Sequence, residues 1–209
     1  MLLTGKQGAC ALQVVKDPNT YSALAYAPPP NVDNTKPPLI LVLHGAGRND
    51  LDIIADLADH KGEHAGLIPS LIASGQAPPE LLQNFAVLPP YSYGRPSFYH
   101  DPRKQLLDFV EWAKSSEDCP ISFDPNRIIL FGFSDGATVV VELLTTRRFA
   151  GGVICSSRYG FTGSTLPPRA VERLANLPLW VFHSADDVFF YVQNSDRLVQ
   201  QLRAAVSVS

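Results

Sequence analysis

The stretch IILFGFSDGATVV, Ile128 to Val140, constrains the fold more than any other in this chain. An apolar run ends in Gly-Phe-Ser-Asp-Gly, and a second apolar run with a helical pattern follows. That order places Ser134 on a tight strand-to-helix turn, where its hydroxyl can act as a nucleophile. Gly132 and Gly136 have a physical task there, because a sharp elbow crowds neighbouring backbone and leaves no room for a Cβ. Alone, G-x-S-x-G arises by chance in roughly one chain in fifteen of this length. The flanking strand and helix patterns give it weight. A serine hydroxyl is a poor nucleophile until a base takes its proton, so the remaining sequence is read for a base, an acid to orient it, and donors for an oxyanion.

Apolar runs of strand length alternate with helical patterns along the chain. Leu39–Leu43 is a continuous apolar run, as expected for a strand buried on both faces. It stops at the glycine-containing turn His44-Gly45-Ala46-Gly47. Tyr21–Ala27 and Asn84–Pro90 read as further short strands, joined by a proline-rich connector and by helical or loop material. In RKQLLDFVEWAKSSE, apolar residues at Leu106, Leu107, Val110 and Trp112/Ala113 fit an amphipathic helix. AGGVICSS and LPLWVFHSADD read as two more strands. NSDRLVQQLRAA reads as a helix capped by Asn194 or Ser195. Alternation of this kind predicts a mostly parallel sheet with helices on both faces, whose ligands sit at the carboxyl ends of the strands.

Composition narrows the function classes. With 209 residues, 45% of them hydrophobic, the chain can bury one sizeable core. Seventeen basic against twenty acidic residues give a formal charge of −3, without the basic patch of a nucleic-acid binder. No apolar run approaches the roughly 20 residues of a membrane span. The three scattered cysteines, Cys10, Cys119 and Cys155, contain no C-x-x-C pair and predict reduced thiols in a cytoplasmic setting.

Three segments carry candidate chemistry. Ser134 is the candidate nucleophile. A tetrahedral intermediate needs N–H donors aimed at its oxyanion, and the amides of Asp135 and Ala46 are placed to supply them. Asp187, just past a strand end and downstream of the serine, is the candidate acid, with Asp186 its competitor. The aromatic loop YSYGRPSFYHDP offers Tyr93, Phe98 and Tyr99 as walls of a substrate pocket, or simply as packing for the loop.

From Leu39 to Arg203 these elements together resemble the α/β-hydrolase superfamily, and within it the phospholipase/carboxylesterase and esterase-depolymerase ("predicted peptidase") branch. Members carry LHGxG after a strand, GxSxGG at the elbow, and FHGxxDxxVP…S around the acid. Here His183 sits at the H of the last pattern, Asp187 at the D, and Ser195 at the later serine. Ser184 replaces the glycine, Tyr191 the proline, and Ala137 the second elbow glycine. The resemblance implies an α/β-hydrolase fold over residues 1–209, a small-molecule ester substrate, and no metal or organic cofactor.

It also implies a catalytic histidine after the acid, beyond one more helix and strand. No histidine follows His183. The expectation is therefore a C-terminally incomplete domain, lacking the last strand and helix. His44 and His183 belong to structural parts of the pattern, His100 lies in the aromatic loop, and His60 and His64 read as solvent-exposed. The functional expectation is a serine hydrolase of carboxylic esters or thioesters, weakened or silenced by the absent base. The alternative is a non-catalytic binding protein of the same fold.

Overall fold

The structure is a computed structural model, and it describes residues 12–47, 49–95, 97–158 and 166–206. Cys10 lies outside them. Five parallel strands form the central sheet in the order β4-β3-β6-β7-β8. They are β3 (Leu39–Leu43), β4 (Ala86–Leu88), β6 (Ile128–Phe133), β7 (Gly151–Cys155) and β8 (Leu179–Phe182). A smaller antiparallel sheet holds β1 (Gln13–Lys16), β2 (Ser22–Ala25) and β5 (Pro90–Tyr91). It joins the central sheet where Tyr26 bridges Val87. The parallel sheet agrees with the apolar runs at Leu39 and Ile128, which pair in register from Leu39↔Ile128 to Leu43↔Gly132.

Side chains of β3 alternate between two cores. Leu39, Leu41 and Leu43 pack with Leu106, Phe109, Leu130 and Val140. Val42, on the other face, packs with Ile53, Leu57, Ile68 and Ile72. The first core is roofed by α4 (Arg103–Ser115) and α5 (Asp135–Leu144), the second by α1 (Ile53–Leu57) and α2 (Ile68–Ser74). A short α3 (Pro79–Asn84) leads into β4. In α4 the buried positions Leu106, Phe109, Val110 and Ala113 keep helical spacing, as the apolar pattern predicts. In α5 the run Val139–Val141 is fully buried. Three β-branched residues in a row disfavour helix, and burial on the sheet overrides that preference.

Two helices complete the described chain, α6 (Pro168–Ala175) and α7 (Gln193–Val206). The start of α7 at Gln193 corrects the expected cap: Asn194 and Ser195 lie inside the first turn and are buried. Ser195 instead hydrogen-bonds His183, and that contact sets its position.

Among the described residues β8 pairs only with β7 and forms an edge of the sheet. Its alternate side chains Trp180 and Phe182 are 70% and 52% exposed and meet edge to face, 5.9 Å apart. An exposed apolar edge strand favours self-association. Replacing both by lysine should leave the secondary structure intact and lower light scattering of the concentrated protein several-fold. Scattering equal to that of the parent would show that this edge does not drive association.

Candidate active site

The elbow is built by close approach of backbone. Ser134 sits between β6 and α5 with φ 55° and ψ −120°, a region that side-chain-bearing residues rarely enter. Its amide donates to the Cys155 carbonyl at 2.9 Å, tying the elbow to the neighbouring strand. A Cβ on Gly136 would lie 2.3 Å from the Leu43 carbonyl oxygen and 2.5 Å from that of His44, and one on Gly132 would lie 2.6 Å from the Ala137 Cα. Both glycines thus have the steric role expected of them.

The same packing seats the turn after β3 beside the serine: a Cβ on Gly45 would come 3.1 Å from the Ser134 Cβ. The Ala46 and Asp135 amides have no hydrogen-bond acceptor among the described residues. Among the described residues two N–H groups are therefore unengaged, one at the start of α5 beside Ser134 and one in the adjoining turn. The Asp135 carboxylate is held by the Ser97 hydroxyl at 2.9 Å and by Arg158 at 3.7 Å. The Arg158 guanidinium lies 4.1 Å from the centre of the Tyr99 ring, a cation–π contact linking the aromatic loop to the elbow. Ser97 and Arg158 escaped the sequence reading because neither belongs to a local pattern.

The two aspartates at the end of β8 differ in environment. Asp186 is exposed and accepts from the Ser184 hydroxyl. Asp187 is half-buried, with its Oδ1 accepting from the Phe189 and Phe190 amides at 2.8 and 2.9 Å. Burial alone would raise its pKa. Hydrogen bonds from the Phe190 and Phe189 amides and the Ser156 hydroxyl, with the nearby His183, outweigh that and lower it. Asp187, on which the D of the family pattern falls, is the carboxylate built into the loop. Strand β7 lies between its strand and that of Ser134.

None of the five histidines hydrogen-bonds Ser134 in the described structure. His183 has both ring nitrogens engaged, Nδ1 with the Ser195 hydroxyl and Nε2 with the Phe190 carbonyl, each at 2.7 Å. In His44, Nδ1 bonds the Gly45 carbonyl at 2.7 Å and Nε2 accepts from the Ser92 amide at 3.2 Å. His100 is exposed and packs edge-on against Tyr99, and His60 is exposed as expected. His64 corrects the reading as solvent-exposed: it is 2% exposed and lies against His44, ring centres 4.7 Å apart. A lone polar residue in a charged segment carries no local sign of such burial.

In the aromatic loop, Tyr93 is exposed and Tyr99 half-buried. Phe98 is fully buried between Tyr21 and His44, which corrects its reading as a pocket wall. It fills the core because η1, the 3₁₀ turn Phe98–His100, points it inward under α5.

Burial, with help from His64, pushes the His44 pKa down to about 3. The fold therefore favours the neutral ring, and the stability this represents is lost as pH falls from the unfolded value near 6.5 towards 3. One proton sets a slope of up to about 1.4 kcal/mol per pH unit over that window. Urea unfolding of the parent and His44→Asn proteins at several pH values should show this much less slope in the variant. Parallel profiles would refute the assignment.

Comparison with known proteins places these features in a family. No curated protein matches the sequence significantly. Among solved structures, a thermostable esterase superposes with a TM-score of 0.64 at 24% identity, over 93% of this chain and 51% of its own. The carboxylesterase Cest-2923 from Lactobacillus plantarum superposes with a TM-score of 0.61 at 16% identity, over 93% of this chain and 79% of its own. An acylaminoacyl peptidase from Pyrococcus horikoshii gives 0.63 at 14% identity, over 96% of this chain and 36% of its own. The chain thus spans about half the length of that esterase and about a third of that peptidase. These likenesses show the fold. The phospholipase/carboxylesterase family model matches residues 104–208, which include the elbow and the acid loop. With the parallel sheet, the serine at its elbow and half of its length matched, the chain belongs to the phospholipase/carboxylesterase family and has the α/β-hydrolase fold.

Proposed function

We propose that the protein is a serine hydrolase of carboxylic esters or thioesters, acting through an acyl-enzyme on Ser134. The observation that carries this reading is the elbow itself: a strained, half-buried serine beside the Asp135 amide and the turn that holds the Ala46 amide, both unengaged among the described residues. Ser134 Oγ attacks the acyl carbon and its proton leaves to a base. The carbonyl oxygen gains charge and is held by the Ala46 and Asp135 amides. Collapse of the tetrahedral species expels the alcohol or thiol, and water then releases the acid. Asp187 orients the base, and Tyr93 and Tyr99 are the candidate walls of the substrate pocket. The base is the weak link, because no histidine of this sequence hydrogen-bonds Ser134 in the described structure. Loss of such a base costs about a million-fold in turnover in a serine protease, leaving roughly 10³ to 10⁴ over water.

The same observation favours a second reading, a binding protein that keeps the site without its chemistry. A fluorophosphonate probe separates the two. Intact mass should show slow phosphonylation of the 209-residue protein and none of Ser134→Ala. Fast labelling, lost in Ser134→Ala, would mean that a base acts within this chain, with His100 the next residue to replace. No labelling of the folded parent would end the hydrolase reading for this chain and leave the binding one.

A further inference from the structure

A buried polar chain, absent from the proposed reaction, runs into the turn after β3. The Tyr91 hydroxyl donates to Asp56 Oδ2 at 2.7 Å. His64 Nε2 lies 3.6 Å from the same oxygen and 3.3 Å from Asn49 Oδ1. The Asn49 amide nitrogen donates to the Arg95 carbonyl at 2.7 Å and the Ser92 hydroxyl at 3.1 Å. Its Oδ1 is therefore the acceptor, which places the His64 proton on Nε2. The Ser92 amide donates to His44 Nε2, so the His44 proton is on Nδ1 and points at the Gly45 carbonyl. Each donor finds an acceptor, and the direction of the whole chain is fixed.

The end of the chain is what matters. Across a trans peptide the C=O of one residue and the N–H of the next point in opposite directions. Holding the Gly45 carbonyl against His44 therefore turns the Ala46 N–H to the other side. His64 also meets the far end of the turn, since a Cβ on Gly47 would lie 3.2 Å from its Cε1 and Nε2. Burial lowers the pKa of His64 even though Asp56 and Glu63 pull it up. The ring stays neutral near pH 7 and keeps the directions above.

We propose that His64, held by Asn49 and Asp56, is a positioning residue that fixes the His44–Gly47 turn with the Ala46 N–H presented to the Ser134 side. The oxyanion hole is then formed before substrate arrives. This inference rests on reading Ser134 as the nucleophile and Ala46 as an oxyanion donor.

Hydrogen exchange measured by mass spectrometry tests it on the full chain. In His64→Ala, amides in peptides spanning residues 39–50 should exchange at least tenfold faster, while those spanning 128–144 keep the parent rate. His64→Gln, which retains an N–H near the Nε2 position, should recover most of the protection. Unchanged exchange at 39–50, or an equal rise in both regions, overturns the proposal, the second result showing that His64 only packs the core. Fluorophosphonate labelling run in parallel should fall at least tenfold in His64→Ala and recover in His64→Gln. An unlabelled parent would count against the hydrolase reading, and the exchange data would still decide whether His64 holds the turn.

Discussion

Gly136→Ala should lose about 4 kcal/mol of stability, enough to unfold a marginal domain outright. The added methyl has nowhere to go. It would lie 2.3 Å from the Leu43 oxygen and 2.5 Å from the His44 oxygen, and both obstacles are backbone at the end of a strand hydrogen-bonded on both sides. A flexible side chain could swing away; a central strand cannot. Urea unfolding followed by circular dichroism provides the measurement. A loss under 1 kcal/mol would mean that α5 shifts away from β3 freely, and the tight elbow described above would be wrong.

Ser134→Gly should act in the opposite direction on stability while removing all phosphonylation. A non-glycine residue at φ 55°, ψ −120° stores strain of about 1–3 kcal/mol, and glycine relieves it. Ser134→Ala serves as the control, since it loses the hydroxyl and keeps the Cβ. The glycine variant should therefore unfold at higher urea concentration than the alanine variant, with both unlabelled by fluorophosphonate. Equal midpoints would show that the elbow is relaxed. Persistent labelling of either variant would place the nucleophile elsewhere.

Much of the fold was legible because it is written locally. The apolar runs at Leu39 and Ile128 gave central strands, and the spacing of Leu106, Val110 and Ala113 gave α4. Ser134, Gly132 and Gly136 stood out because elbow chemistry needs small residues at fixed offsets. Asp187 stood apart from Asp186 because the D of the family pattern falls on it; the Phe189 and Phe190 amides that hold it have no local signature. β1 was not legible: Gln13–Lys16 buries only one of four side chains and has no alternation to detect. Nor was the polar chain behind the turn. Asp56 meets Tyr91 across 35 residues and Ser97 meets Asp135 across 38, pairings that only the folded topology creates. His64 was misread, and Phe98 was left open between pocket wall and loop packing, for the same reason, since burial of single residues in irregular segments leaves no periodic trace.

The strand order has a consequence for how heat would dismantle the site. Ser134 and the turn after β3 rise from β6 and β3, each flanked by strands on both sides. Asp187 follows β8, which has a neighbour on one side only among the described residues and turns Trp180 and Phe182 to solvent. Segments with few buried contacts open at lower free energy than the centre of a domain. On warming, the proposed acid should therefore be released while the proposed nucleophile and oxyanion donors are still in place. The proposed site should thus come apart from its periphery inward, at a temperature below that at which the sheet itself is lost.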